Sequence, residues 1–120
     1  MTENFFSLTD LSQGIARELA PGVNTHVFAG DQAMLSVVEL APNAKGSIHS
    51  HPEEQWGLML AGSGVRIQDG ADHPVKAGDF WRTPGGVEHG LVAGEQGCKV
   101  LDIFAPPREA YKRAGQGFGA

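Results

Sequence analysis

The sequence predicts an all-β domain, a sandwich or small barrel of many short strands, and three observations predict it. Glycine and proline make up 17 and 7 of the 120 residues, without the Gly-x-y period of a collagen-like chain. Short apolar, β-branched runs recur between those turn formers. The length suits one domain that buries a core without disulfides. Eight or nine strands at this spacing fit a jelly roll, in which eight strands make two Greek keys.

Taken in order, Met1 to Leu11 reads as a lead-in arm. Its Phe5, Phe6 and Leu8 can dock on the body or on a neighbouring subunit. Leu11, Ile15 and Leu19 have helical spacing behind a cap at Asp10, and Pro21-Gly22 ends that segment. Thr25 to Ala29 alternates as a strand, and Gly30-Asp31 is a turn. Met34 to Leu40 is the strongest strand signal, with Pro42-Asn43 turning the chain after it. Ile48 to His51 and Gln55 to Leu60 read as short strands, the second closed by Ala61-Gly62-Ser63-Gly64. Val65 to Gln68 stops at Asp69-Gly70. Val75-Lys76, Phe80 to Thr83, His89 to Val92 and Val100 to Phe104 complete the set before Pro106-Pro107. Arg108 to Arg113 reads as one helical turn, and Ala114 to Ala120 as a frayed end. The organisation is therefore an arm and first strand (1–33), a barrel core (34–107) and a C-terminal tail (108–120), in one domain.

Charge excludes one class of partner. The chain has 9 basic and 14 acidic residues, a net −5, and no basic cluster, so no nucleic-acid partner is expected. Cys98 is the only cysteine, which rules out an intrachain disulfide and is compatible with a reducing compartment. Met1-Thr2-Glu3-Asn4 carries no basic region with an apolar run behind it, as a signal peptide would. No stretch reaches the roughly 18–20 apolar residues of a membrane span. The expectation is a soluble cytoplasmic protein with no membrane partner.

The chemistry concentrates in His49-Ser50-His51-Pro52-Glu53-Glu54-Gln55. Two histidines one residue apart on a strand share a face. Gln55 adds a neutral carbonyl oxygen. Imidazole nitrogen with oxygen suits one divalent ion such as Zn, Fe, Ni, Mn or Cu. A second stretch, Gly78 to His89, supplies another histidine. On the face shared by Gln55, Gly57 and Met59, one row should line a pocket, while Trp56, Leu58 and Leu60 face a core or a dimer surface. Phe80 and Trp81 read as core residues. Arg66, Glu53 and Glu54 read as solvated charges, and His26 and His73 as surface residues.

The two stretches together resemble the paired motifs of the cupin family. His49-x-His51, three residues, Gln55, six residues and Gly62 form the first; Gly78, five residues, Pro84-x-Gly86, two residues and His89 form the second, fifteen residues on. The family pattern has Glu where this chain has Gln55, and often Asn where it has Ala93. The resemblance implies a cupin jelly-roll barrel (double-stranded β-helix) in which His49, His51, Gln55 and His89 bind one divalent metal. The Gln removes the anionic ligand, which weakens metal affinity and leaves a stronger Lewis acid.

Leu101-Asp102-Ile103-Phe104-Ala105-Pro106-Pro107-Arg108-Glu109 narrows the resemblance to small cupins of the pectin-degradation protein family. Those act on 4,5-unsaturated monouronates, promoting ring opening and ketonisation. Monocupin polyketide cyclases and a bacilysin-pathway isomerase subgroup share the His, His, Gln, His set. The resemblance implies that Asp102, Phe104 and Arg108 face the substrate, with Asp102 moving a proton and Arg108 gripping a carboxylate. Met59 joins Phe104 as a substrate-facing residue. A non-redox isomerase, tautomerase or cyclase follows, working as a homodimer that buries the arm or the Trp56 face. An iron dioxygenase and a non-catalytic binding or sensor protein stay open beside it.

Overall fold

The computed structural model describes residues 4–119; Met1 to Glu3 of the expected arm and Ala120 of the expected tail lie outside the described residues. Eight strands form in chain order: β1 (Ile15–Ala20), β2 (Val23–Ala29), β3 (Met34–Leu40), β4 (Glu54–Gln68), β5 (Ala71–Lys76), β6 (Phe80–Thr83), β7 (His89–Ala105) and β8 (Gly115–Gln116). A 3-10 turn, Glu109–Lys112, follows β7. All belong to one sheet, ordered β5-β4-β7-β3-β2-β1-β8, with β6 paired to β4. The all-β jelly-roll expectation holds.

β4 and β7 organise the barrel. They run antiparallel along their whole lengths, from Glu54 opposite Ala105 to Gln68 opposite His89. The sequence splits each into two short strands, because glycines interrupt them. The structure instead carries both through, with bulges between Met59 and Ala61 and between Gly62 and Gly64. Glycine is required there by close approach: a Cβ on Gly62 would sit 2.2 Å from the Gly97 carbonyl oxygen. The extra residues change which parity of side chain faces inward. Gln55, Gly57 and Met59 are buried before the bulges, and Arg66 after them.

The inward faces of β1, β2, β3, β4 and β7 close over a core of Leu19, Val23, Val27, Met34, Met59 and Val100. At 1% exposure, Met59 belongs wholly to that core. Each fully buried aliphatic side chain contributes roughly 1.5–3 kcal/mol of transfer free energy.

Two further expectations are corrected. Leu11 to Leu19 forms no helix; Ile15 begins β1, because pairing with β2 from Ile15 opposite Val27 outweighs a weak helical spacing. The C-terminal end is not frayed: Arg17 and Glu18 of β1 pair in parallel with Gly115 and Gln116. The Arg17 fork fixes that return, donating to the carbonyls of Gly117 (2.8 Å), Gln116 (2.8 Å), Ala110 (3.1 Å) and Arg113 (3.3 Å).

Candidate metal centre

His49 and His51 lie on no regular strand. His49 makes an isolated bridge to His89 at the start of β7, so Ile48 to His51 is not the strand expected. The bridge still does the strand's work. His49 N–H donates to His89 O (3.0 Å) and His89 N–H to His49 O (2.9 Å), which puts both side chains on one side. Their ring centroids are 4.5 Å apart. His51 lies 4.9 Å from His89 by the same measure. One ligand atom from each of His49, His51 and His89 lies within 4.8 Å of the others. Gln55, near the start of β4 and opposite Thr83 and Phe104, brings its Oε1 to 3.0 Å from His51 Nε2.

Backbone carbonyls set the tautomers. His49 Nδ1 donates to Ser47 O (2.8 Å), His51 Nδ1 to Glu53 O (3.0 Å) and His89 Nδ1 to Val87 O (2.9 Å). A neutral imidazole has one proton, so each Nε2 keeps a lone pair. Burial holds the His49 ring down to about 4 and the His89 ring to about 3, with Arg108 and Arg66 respectively adding to the shift. Burial lowers His51 as well, helped by Arg108. All three are therefore in the ligating form at neutral pH.

Two details show that this set fits a cation. His89 Nε2 is buried without a hydrogen-bond partner. His51 Nε2 faces an amide oxygen, acceptor against acceptor. A divalent ion held by His49, His51, His89 and Gln55 resolves both, and the imidazole and amide donors suit a borderline metal.

The inward wall beyond the histidines is a cavity of about 50 Å³. Asp102 and Phe104 line it, as their alternation on β7 predicts. Burial pushes the Asp102 carboxyl up, against the pull of Arg66, a hydrogen bond from Gln55, and Arg108. Its Oδ1 is sealed from solvent with no donor. Arg108 lines a separate recess of about 260 Å³ that also touches His49 and His51. Its guanidinium lies 4.3 Å from the Tyr111 ring centroid, donates through Nη2 to Phe118 O, and leaves Nη1 without a partner. Asp102 and Arg108 thus line two neighbouring spaces, both bordered by His49 and Phe118. Met59 is absent from the residues around the cavity.

Sequence reasoning missed four residues here. Arg66 is expected to be solvated, yet is only 5% exposed and lines the cavity. The bulge in β4 reverses the parity that Val65 and Ile67 suggest. Trp81 packs against the core as expected but also lines the same cavity, while Phe80 is 70% exposed. Glu53 is no solvated charge: its side chain is 17% exposed, with Oε1 3.4 Å from His51 Nδ1 and 3.9 Å from Arg108 Nε. Phe118, from the supposed frayed end, packs on His49 with centroids 4.5 Å apart. The spacing around it carries no signal for that contact.

Comparison with known proteins agrees with this geometry. The family model described as a cupin domain matches residues 36–104. The dimethylsulfoniopropionate lyase DddW of Ruegeria pomeroyi is 36% identical over 83 residues, 69% of this chain and 55% of its own. This chain therefore spans about half the length of that relative. The pectin degradation protein KdgF of Dickeya dadantii is 30% identical over 96 residues, covering 78% of this chain and 87% of its own. The solved structure of KdgF from a Halomonas species superposes with a TM-score of 0.78 at 25% identity, over 88% of this chain and 96% of its own.

Proposed function

Because this chain belongs to the cupin family, we propose that it is a metal-dependent, non-redox isomerase or tautomerase acting on a small carboxylate-bearing substrate such as an unsaturated uronate. The observation that carries the reading is the facing pair of His51 Nε2 and Gln55 Oε1, 3.0 Å apart, with Asp102 on the adjoining wall. Similarity to KdgF supports the substrate class.

A bound divalent ion supplies Lewis-acid polarisation of a substrate oxygen. Asp102 takes a proton from an enol hydroxyl and returns it to carbon, so the enol becomes a ketone with no net gain or loss of protons. Its raised pKa suits both halves of that transfer. Arg108 holds a carboxylate through the free Nη1, braced by Tyr111 behind it. Phe104 and the core beneath it exclude water.

Metal analysis of purified protein and turnover of a 4,5-unsaturated uronate test this reading. Asp102→Asn should keep its metal and lose about 10²- to 10⁴-fold in turnover. His51→Ala should lose both. Normal turnover in Asp102→Asn, or full turnover in metal-stripped protein, would overturn it. Turnover that requires oxygen would favour a dioxygenase instead.

A second reading rests on the identity to the DddW lyase. There Asp102 takes a proton from carbon beside a carboxylate and a leaving group departs. An assay for an unsaturated acid product separates the two.

Assembly and location belong to the same proposal. Phe5 (77% exposed), Phe6 (50%), Trp56 (42%) and Phe80 (70%) are apolar side chains left in solvent. A homodimer that covers this face fits them. Light scattering should return twice the 12.7 kDa chain mass; the monomer mass at every concentration would refute it. A cytoplasmic location fits the lone, buried Cys98. No helix among the described residues is long and apolar enough to cross a membrane.

A further inference from the structure

The hydrogen bonds that hold Arg66 in the barrel go to neutral groups, and Asp102 is the charge that acts on it. Its Nη2 donates to Thr83 Oγ1 (2.8 Å) and its Nε to Gln68 Oε1 (3.3 Å). Those two acceptors are themselves fixed: Thr83 Oγ1 donates to Gln68 Oε1 (2.7 Å), and Gln68 Nε2 donates to Arg82 O (2.8 Å). A guanidinium carries five donors, and this scaffold uses two of its nitrogens, leaving Nη1 free. Asp102 is the one acid among the described residues that line the cavity, and no direct ion pair joins it to Arg66. Trp81, whose ring centroid lies 5.5 Å from the Arg66 guanidinium carbon, has a buried Nε1 with no acceptor. A charge buried against neutral partners is costly unless an anion completes its shell.

We propose that Arg66 and Trp81 Nε1 form an anion subsite inside the barrel, which takes a carboxylate of the substrate and sets its specificity for acids. This deepens the reading above, on which it rests only for the identity of the acid. Arg66 and Trp81 both line a cavity of about 50 Å³. At roughly 10–15 Å³ for each enclosed water, that is room for a few waters or a carboxylate group. The rigid Thr83–Gln68 scaffold orients the fork before the ligand arrives, which lowers the entropy lost on binding. Asp102 then stands beside the substrate carbons next to the carboxylate. With Arg108 in the neighbouring recess beside His49 and His51, the site presents two cationic anchors. An acid with an anionic or strongly polar group at each end fits that pair best.

Chelator-stripped protein carrying Trp56→Phe leaves Trp81 as its single tryptophan reporter. Acetate titrated into it should change Trp81 fluorescence saturably, and neutral acetamide should not. Arg66→Met should weaken acetate binding at least about tenfold, a loss of about 1.4 kcal/mol. Arg66→Lys keeps the charge without the fork and should fall between; it keeps the test decisive should the Met variant fail to fold. Equal acetate affinity in Arg66→Lys and its parent, or no saturable response to acetate, would overturn the subsite. So would loss of binding in Arg108→Met but not in Arg66→Met. Metal content is read separately on each variant as purified, before chelation. Arg66-dependent acetate binding in a chain that takes up no metal would sink the metalloenzyme reading and leave the subsite standing. The reverse result would sink only the subsite.

Discussion

His51 Nε2 and Gln55 Oε1 stand 3.0 Å apart with a lone pair on each side of the gap. The His51 proton is committed to the backbone carbonyl of Glu53, so Nε2 meets the Gln55 amide oxygen with its lone pair. Acceptor facing acceptor is repulsive in a buried place, and a cation between them removes the repulsion. The same pair explains why the amide matters. A carboxylate at this position would bind the ion more tightly, but would neutralise half of its charge.

Gln55→Glu should therefore raise metal affinity by about an order of magnitude or more, since a full negative charge replaces a dipole at contact distance. Competition against a chelator measures it. If the Lewis-acid reading is right, turnover of the uronate falls in the same variant.

Arg17→Ala removes the fork that ties four carbonyls of the C-terminal return to β1. Charged hydrogen bonds of this kind are worth about 1.5–3 kcal/mol each and do not add fully, so a net loss of about 2–4 kcal/mol is expected. Denaturant midpoints give the value. Trypsin should also cut faster after Lys112 and Arg113, since their segment loses its anchor.

Stability of the metal-free protein should fall with acid from near neutrality. His49 and His89 titrate at about 4 and about 3 in the fold against 6.5 when free. The unfolded chain thus binds protons first, so their stabilisation is complete above 6.5 and is lost as pH falls toward 3. Asp102 works the other way, its raised pKa favouring the fold at low pH. Thermal melts in an Asp102→Asn background isolate the histidines; a melting temperature flat between pH 7 and 4 would contradict the assignment.

Cys98 is buried in the core, and burial pushes its thiol up to about 11. It should resist a thiolate-selective reagent in the folded protein and react at once in denaturant. Rapid labelling under native conditions would show that β7 opens.

The convergence of His49, His51 and His89 was legible because these residues obey fixed spacings. His49-x-His51, Gln55 and His89 are separated by turns whose glycines and prolines admit few geometries, so the metal motif survives in one dimension. The all-β class was legible for the same reason. Asp102 and Phe104 followed from simple alternation near the end of β7, where no bulge intervenes. Tertiary structure decided the rest. Arg66 and Val65 exchange faces because bulges between Met59 and Gly64 shift the side-chain parity of β4, and a period-two pattern cannot register an inserted residue. Glu53 meets Arg108 across the fold, and Phe118 reaches His49 by return of the C-terminus to β1. Those contacts join residues as far apart as Arg17 and Gly117, and nothing local in either segment encodes them. Local sequence thus determined which atoms can bind a metal, and the long-range pairing of strands determined which charges surround it.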